Sequence, residues 1–138
     1  MGEGIQLPPV ASSVALARRW AGAQLAPLDG ESAAETASLL VSELVSNVVL
    51  HARTVYEVSL ERDGSVIRFS VRDFSERLPR VALPSEPLGM SGRGMLLVQQ
   101  LSDANGVDPH PEGGKSVWFE LQVPAVELVT LGQRKGLG

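Results

Sequence analysis

The sequence predicts an α+β fold in which helices cover one face of a largely antiparallel sheet, and three observations predict it. Two long segments with helical apolar spacing come first, from Ser12 or Ser13 to about Leu25 and from Asp29 or Ser32 to His51 or Ala52. Two runs of strict two-residue alternation follow, joined by Asp63-Gly64, a dipeptide suited to tight hairpin turns. A short helix and at least one more alternating strand complete the order. That order lacks the regular strand-helix alternation of a doubly wound parallel sheet.

Each element has its own justification. Residues 1–9 carry Gly2, Gly4, Pro8 and Pro9 and read as a flexible lead-in to a domain spanning 10–124. In the first helix Val14, Leu16, Ala17, Trp20, Ala21 and Leu25 make a broad apolar face, with Ser12 or Ser13 as its cap and a break at Pro27 and Gly30. In the hairpin, Tyr56, Val58 and Leu60 share one face, as do Ile67, Phe69 and Val71. The same period aims Asp73 at the interior, where the second strand ends. From Phe74 to Gly92, Pro79, Pro84, Pro87 and Gly89 mark a long loop, either a lid or disorder. A helix is expected from about Arg93 to Leu101, and Asn105-Gly106 should turn into a brief strand. After Gly113-Gly114, Val117, Phe119, Leu121 and Val123 face the core until Pro124, and 125–138 form a tail.

Composition narrows the function. A chain of 138 residues with 43% hydrophobic and 20% charged residues suits one ordinary globular domain. Its net charge of -4 and scattered basic residues argue against nucleic acid as a partner. With no cysteine and two histidines, disulfides and thiolate or zinc sites are excluded or improbable. No signal peptide is expected, nor any apolar run long enough to span a bilayer, so the expectation is a cytoplasmic protein that does not engage membranes.

The most telling feature is a polar stripe on the second helix. Glu43, Asn47 and His51 recur every four residues, with Ser46 beside them, in an otherwise aliphatic segment. Burying a carboxylate and an amide is unfavourable without partners, so this arc should face a polar ligand, a metal or a solvent-filled cleft. Gly92-Arg93-Gly94 directly precedes a helix, where backbone N–H groups can hold phosphate, although a flexible turn fits equally well. Asn47 offers a neutral oxygen suited to Mg²⁺, Glu43 could polarise an attacking hydroxyl or water, and Asp73 could accept from an exocyclic amine. Simpler roles stay open: Glu43 in a structural salt bridge, Asn47 or Asp73 capping a turn, His51 ending its helix, Arg93 solvated. Gly114-Lys115-Ser116 is no Walker A loop, because Pro109 stands where that motif needs glycine.

Together these segments resemble the GHKL ATPase superfamily, and within it the anti-sigma-factor serine kinases and related stand-alone ATP-binding regulators. The N box Glu-x-x-x-Asn is matched by Glu43 and Asn47, the adenine-binding aspartate by Asp73, and the second glycine box by Ser91-Gly92-Arg93-Gly94-Met95. Gly113-Gly114-Lys115-Ser116 resembles the segment that sets a hydroxyl near adenine, which assigns that role to Ser116. Strand alternation, however, turns Ser116 away from the face of Val117 and Phe119 unless a bulge intervenes. The first glycine box departs from its usual Asp-x-Gly-x-Gly, reading Asp73-Phe74-Ser75-Glu76-Arg77.

The resemblance implies a Bergerat-type two-layer α/β sandwich with a mixed sheet, binding ATP and Mg²⁺ beneath the 74–92 lid. It implies a serine/threonine protein kinase in which Glu43 is catalytic, Asn47 holds Mg²⁺, and His51, Asp73, Gly92, Arg93, Gly94 and Ser116 border the nucleotide. The implied partner is a protein, a sigma factor or its antagonist, and related kinases often form homodimers. A module that captures a partner without turnover is the competing expectation, and a domain that binds no nucleotide is a third.

Overall fold

The computed structural model describes residues 3–29, 31–76 and 93–123. Its strands are β1 (Glu3–Leu7), β2 (Tyr56–Asp63), β3 (Val66–Asp73), β4 (Ala104–Pro109) and β5 (Lys115–Gln122). They form one sheet in the order β1-β2-β3-β5-β4 with every pairing antiparallel, so the expected admixture of parallel strands is not found among the described residues. The helices are α1 (Ala11–Asp29), α2 (Glu31–Asn47) and α3 (Arg93–Leu101), and α2 runs on into a π-helical turn, Val48–Ala52. This is the predicted α+β sandwich.

The core lies between the helices and one sheet face. Alternation delivers Ile67, Phe69 and Val71 from β3 and Val117, Phe119 and Leu121 from β5 to that face, all buried. Phe69 and Phe119 stack with centroids 5.4 Å apart, and Trp20 of α1 meets Phe69 edge-on at 6.4 Å. Ala17, Ala21, Ala37, Leu40, Val41, Leu44 and Val45 supply the helical side. The opposite sheet face is polar, with Arg68 bound to Glu120 at 2.7 Å and lying 3.8 Å above the Trp118 ring.

Several boundaries differ from those expected. Residues Glu3–Leu7 are an edge strand and no loose lead-in, because β2 offers a partner and Ile5 and Leu7 pack against the core. Helix α1 runs through Pro27 to Asp29, and Ser13 sits inside it, its hydroxyl shared between the Val10 carbonyl and Tyr56 Oη. The hairpin loop is Gly64-Ser65, one residue later than Asp63-Gly64, since Asp63 pairs with Val66 and Gly64 carries φ +62°. Asn105 and Gly106 lie within β4, where a Cβ on Gly106 would come within 2.6 Å of Trp118. The stretch Ala33–Ala52 is long and apolar enough by composition to cross a membrane, contrary to expectation, with mean hydropathy 1.3. Its apolarity has a plain cause here, for α2 is the core helix and packs against β3, β5, α1 and α3.

Candidate functional site

Helix α2 presents Glu43 and Asn47 from half-buried positions one turn apart. Glu43 has no hydrogen-bond or ion-pair partner among the described residues, and burial raises its pKa above the ordinary carboxylate value. No salt bridge of the expected alternative kind holds it among the described residues. The amide nitrogen of Asn47 is buried without a partner among the described residues, and no described contact makes this side chain a turn cap. An unmade hydrogen bond at a buried donor costs about 1–3 kcal/mol, and a ligand that completes it recovers that cost.

Directly after Asn47 the helix widens. Arg53 N–H reaches back to the Val48 carbonyl at 2.7 Å, and Arg53 itself takes φ +57° to end the helix. His51 lies in this π-helical turn at the helix end and is exposed.

Asp73 is aimed inward, as the alternation required, but it is not free. It is 2% exposed and lies in register with Lys115, itself 4% exposed. Lys115 Nζ donates to Oδ1 at 3.1 Å and to Oδ2 at 2.9 Å, while the Ser75 N–H donates to Oδ1 at 2.9 Å. The last contact is the turn-capping role foreseen for an aspartate at a strand end. Glycine is needed beside the pair. Gly114 has φ +81°, and a Cβ there would lie 2.3 Å from the Asp73 carbonyl oxygen. Glu76 Oε2 accepts from the Gly114 N–H at 3.2 Å, tying the end of β3 to the start of β5.

Lys115 was not anticipated, although its signal was in the sequence: it alternates in step with Val117, Phe119 and Leu121. Ser116 accordingly falls on the opposite sheet face, because the ladder runs without a bulge from Asp73–Lys115 through Arg72–Ser116 to Val71–Val117. There its hydroxyl meets His110 Nε2 at 2.8 Å. The hydroxyl expected near adenine is on the far side of the sheet, and the inward position belongs to an ammonium.

Gly92 and most of the 74–92 loop lie outside the described residues, as does the 125–138 tail. Arg93 and Gly94 open α3, which packs against α2. Helix α2 thus carries a carboxylate and an amide nitrogen without partners among the described residues, and the ends of β3 and β5 carry a buried ion pair. The family model of the histidine kinase-like ATPase domain matches residues 7–121, well over half of the chain.

The chain belongs to the histidine kinase-like ATPase domain family.

Membership makes it an ATP-binding, kinase-like ATPase domain, and the match runs from Leu7, the last residue of β1, to Leu121 within β5. No curated protein matches it in sequence. Among the described residues of this ATPase domain no group of three or more His, Asp or Glu could cage a metal. The Asn47 amide makes no hydrogen bond among the described residues, and its neutral oxygen is of a kind that Mg²⁺ takes beside waters and phosphates.

Proposed function

We propose that this domain is an ATP- and Mg²⁺-dependent serine/threonine protein kinase of the anti-sigma-factor type, acting on a regulatory protein. The observation that carries the proposal is Glu43. It is a half-buried carboxylate, without a partner among the described residues, whose proton affinity is raised by desolvation. Those are the properties of a general base. In this reading Glu43 takes the proton of the partner's hydroxyl as its oxygen bonds to the γ-phosphorus, and the bond to the leaving ADP oxygen breaks. Asn47 holds Mg²⁺, which supplies charge neutralisation at the phosphates. Asp73 accepts from the adenine amine, and the 92–94 segment cradles the phosphate chain with its backbone N–H groups. The partner is a sigma factor or a sigma-factor antagonist, and a homodimer is the expected assembly.

A second reading has its own support. The altered first glycine box, in which Asp73 is held by Lys115, motivates a module that binds nucleotide and captures a partner without turnover. Transfer from γ-labelled ATP to candidate partners, comparing wild type with Glu43→Ala, separates the two. Label on a partner serine or threonine, lost in Glu43→Ala, is the expected result. ATP binding with no transfer in either protein refutes the kinase and leaves the binding module.

A further inference from the structure

The geometry points to a second reactive centre, on the sheet face opposite the core: Ser116 is a nucleophile for acyl transfer from small carboxylic esters, with His110 as its base. This goes beyond the nucleotide reading and does not depend on it. Ser116 Oγ lies 2.8 Å from His110 Nε2, and across the ring Nδ1 lies 3.8 Å from Glu112 Oε1, an ion-pair distance. A hydroxyl within hydrogen-bond reach of a base, with a third group orienting that base, is the arrangement that activates a serine. The carboxylate beside Nδ1 favours the tautomer with its proton there, which leaves Nε2 to accept from the hydroxyl. The turn between β4 and β5 anchors the base at both backbone groups: the His110 N–H donates to the Gly114 carbonyl and the Gly113 N–H to the His110 carbonyl, each at 3.0 Å. The His110 side chain is 27% exposed and Ser116 half-buried, so the pair is open to small solutes as it stands.

Acyl transfer also needs a donor for the negative charge that develops on the carbonyl oxygen. The Gly113 and Gly114 N–H groups are engaged, by the His110 carbonyl and by Glu76. Arg72 is the donor to hand. It stands in register with Ser116 on the neighbouring strand and the same face, and its Nε is buried with no partner among the described residues. Its Nη2 reaches the Gly113 carbonyl at 3.5 Å, which ties the guanidinium to the turn that carries the base. In the reaction the Ser116 Oγ–carbon bond forms as the hydroxyl proton passes to His110 Nε2, and the carbonyl electron pair moves to the oxygen facing the Arg72 N–H. The pair returns, the ester C–O bond breaks, and Nε2 gives its proton to the departing alcohol. Water repeats the sequence on the acyl-serine and releases the acid.

The test treats the full chain, without nucleotide, with diisopropyl fluorophosphate, in which fluoride leaves as the Oγ–phosphorus bond forms, and with p-nitrophenyl acetate. Intact mass and peptide mapping should place a single adduct on Ser116, absent in Ser116→Ala. His110→Gln should label about a hundredfold more slowly, the usual worth of a positioned base. Glu112 acts through His110, so in Glu112→Gln kcat for p-nitrophenyl acetate should fall while KM holds, a split that loosening of the turn would not produce. Melting curves on each variant establish that it is folded, and if a variant does not fold, the adduct map of the wild type decides. No adduct on Ser116 in the wild type overturns the proposal. So does labelling of His110→Gln at the wild-type rate, which would leave the Ser116–His110 hydrogen bond as a pin between β4 and β5.

Discussion

Removing either member of the Asp73–Lys115 pair should be the most damaging single polar substitution in this domain. Both side chains are nearly sealed from water, 3% and 6% exposed, and their contacts at 2.9 and 3.1 Å satisfy both carboxylate oxygens. In Lys115→Met the stem is replaced by similar volume, but among the described residues Asp73 keeps the Ser75 N–H as a donor and loses its countercharge. In Asp73→Asn the ammonium loses its countercharge. Stranding one charge of a buried pair costs about 3–5 kcal/mol, whereas replacing both partners by neutral groups is often near neutral. For a chain of 138 residues, about 3–5 °C of Tm per kcal/mol turns this into a fall of roughly 10–25 °C for each single variant. Urea unfolding of wild type, Lys115→Met, Asp73→Asn and the double variant supplies the cycle. The double variant should cost clearly less than the sum of the singles. If each single costs under about 1 kcal/mol and the costs add, the pair is solvated in solution and the reasoning fails.

Two further substitutions test other parts of the site. Burial raises the Glu43 pKa, so the ionised form is disfavoured in the folded state and the group weakens folding at neutral pH. That penalty disappears as pH falls through the raised folded pKa, so Glu43→Gln should be more stable than wild type at pH 7 and lose the advantage in acid, while phosphoryl transfer is abolished. A pH-independent stability difference in paired melting curves would contradict the desolvation argument. Gly114→Ala adds a Cβ 2.3 Å from backbone at φ +81°, whereas Gly64→Ala at φ +62° meets open space. The hairpin variant should cost about 1–2 kcal/mol from the left-handed backbone alone, and Gly114→Ala clearly more in the same urea titration, because no flexible side chain can yield. Equal costs would show that Gly114 is not in close contact with β3.

Much of this molecule was legible because the deciding quantities are local. The two-residue periods of β2, β3 and β5 put Tyr56, Phe69 and Phe119 in the core, and the Glu43–Asn47 spacing placed both groups on one side of α2. What escaped was pairwise. Glu3–Leu7 has glycine and no strong pattern, and becomes a strand only because β2 presents an edge to it. Asn105-Gly106 has the sequence of a turn but is drawn into β4 by its ladder to β5 and by the flat Trp118 ring that needs the missing Cβ. Lys115 was hidden for the same reason: its period marked it as inward, but only the antiparallel register reveals that its neighbour is Asp73. The departure of the first glycine box and the displaced hydroxyl are then one feature, since the same two strand ends carry both changes.

The ion pair also bears on the charge of the cleft. Two inward carboxylates, Glu43 and Asp73, would otherwise oppose a polyphosphate, and like charges in a site of low effective dielectric repel strongly. Lys115 cancels one of them internally, and burial raises the proton affinity of the other. Among the described residues the Asn47 amide nitrogen is without a partner, and Glu43 is a group whose burial weakens folding and whose raised proton affinity serves the proposed proton transfer. That asymmetry, a satisfied carboxylate on β3 and an unsatisfied one on α2, is what tips the reading toward turnover rather than binding alone.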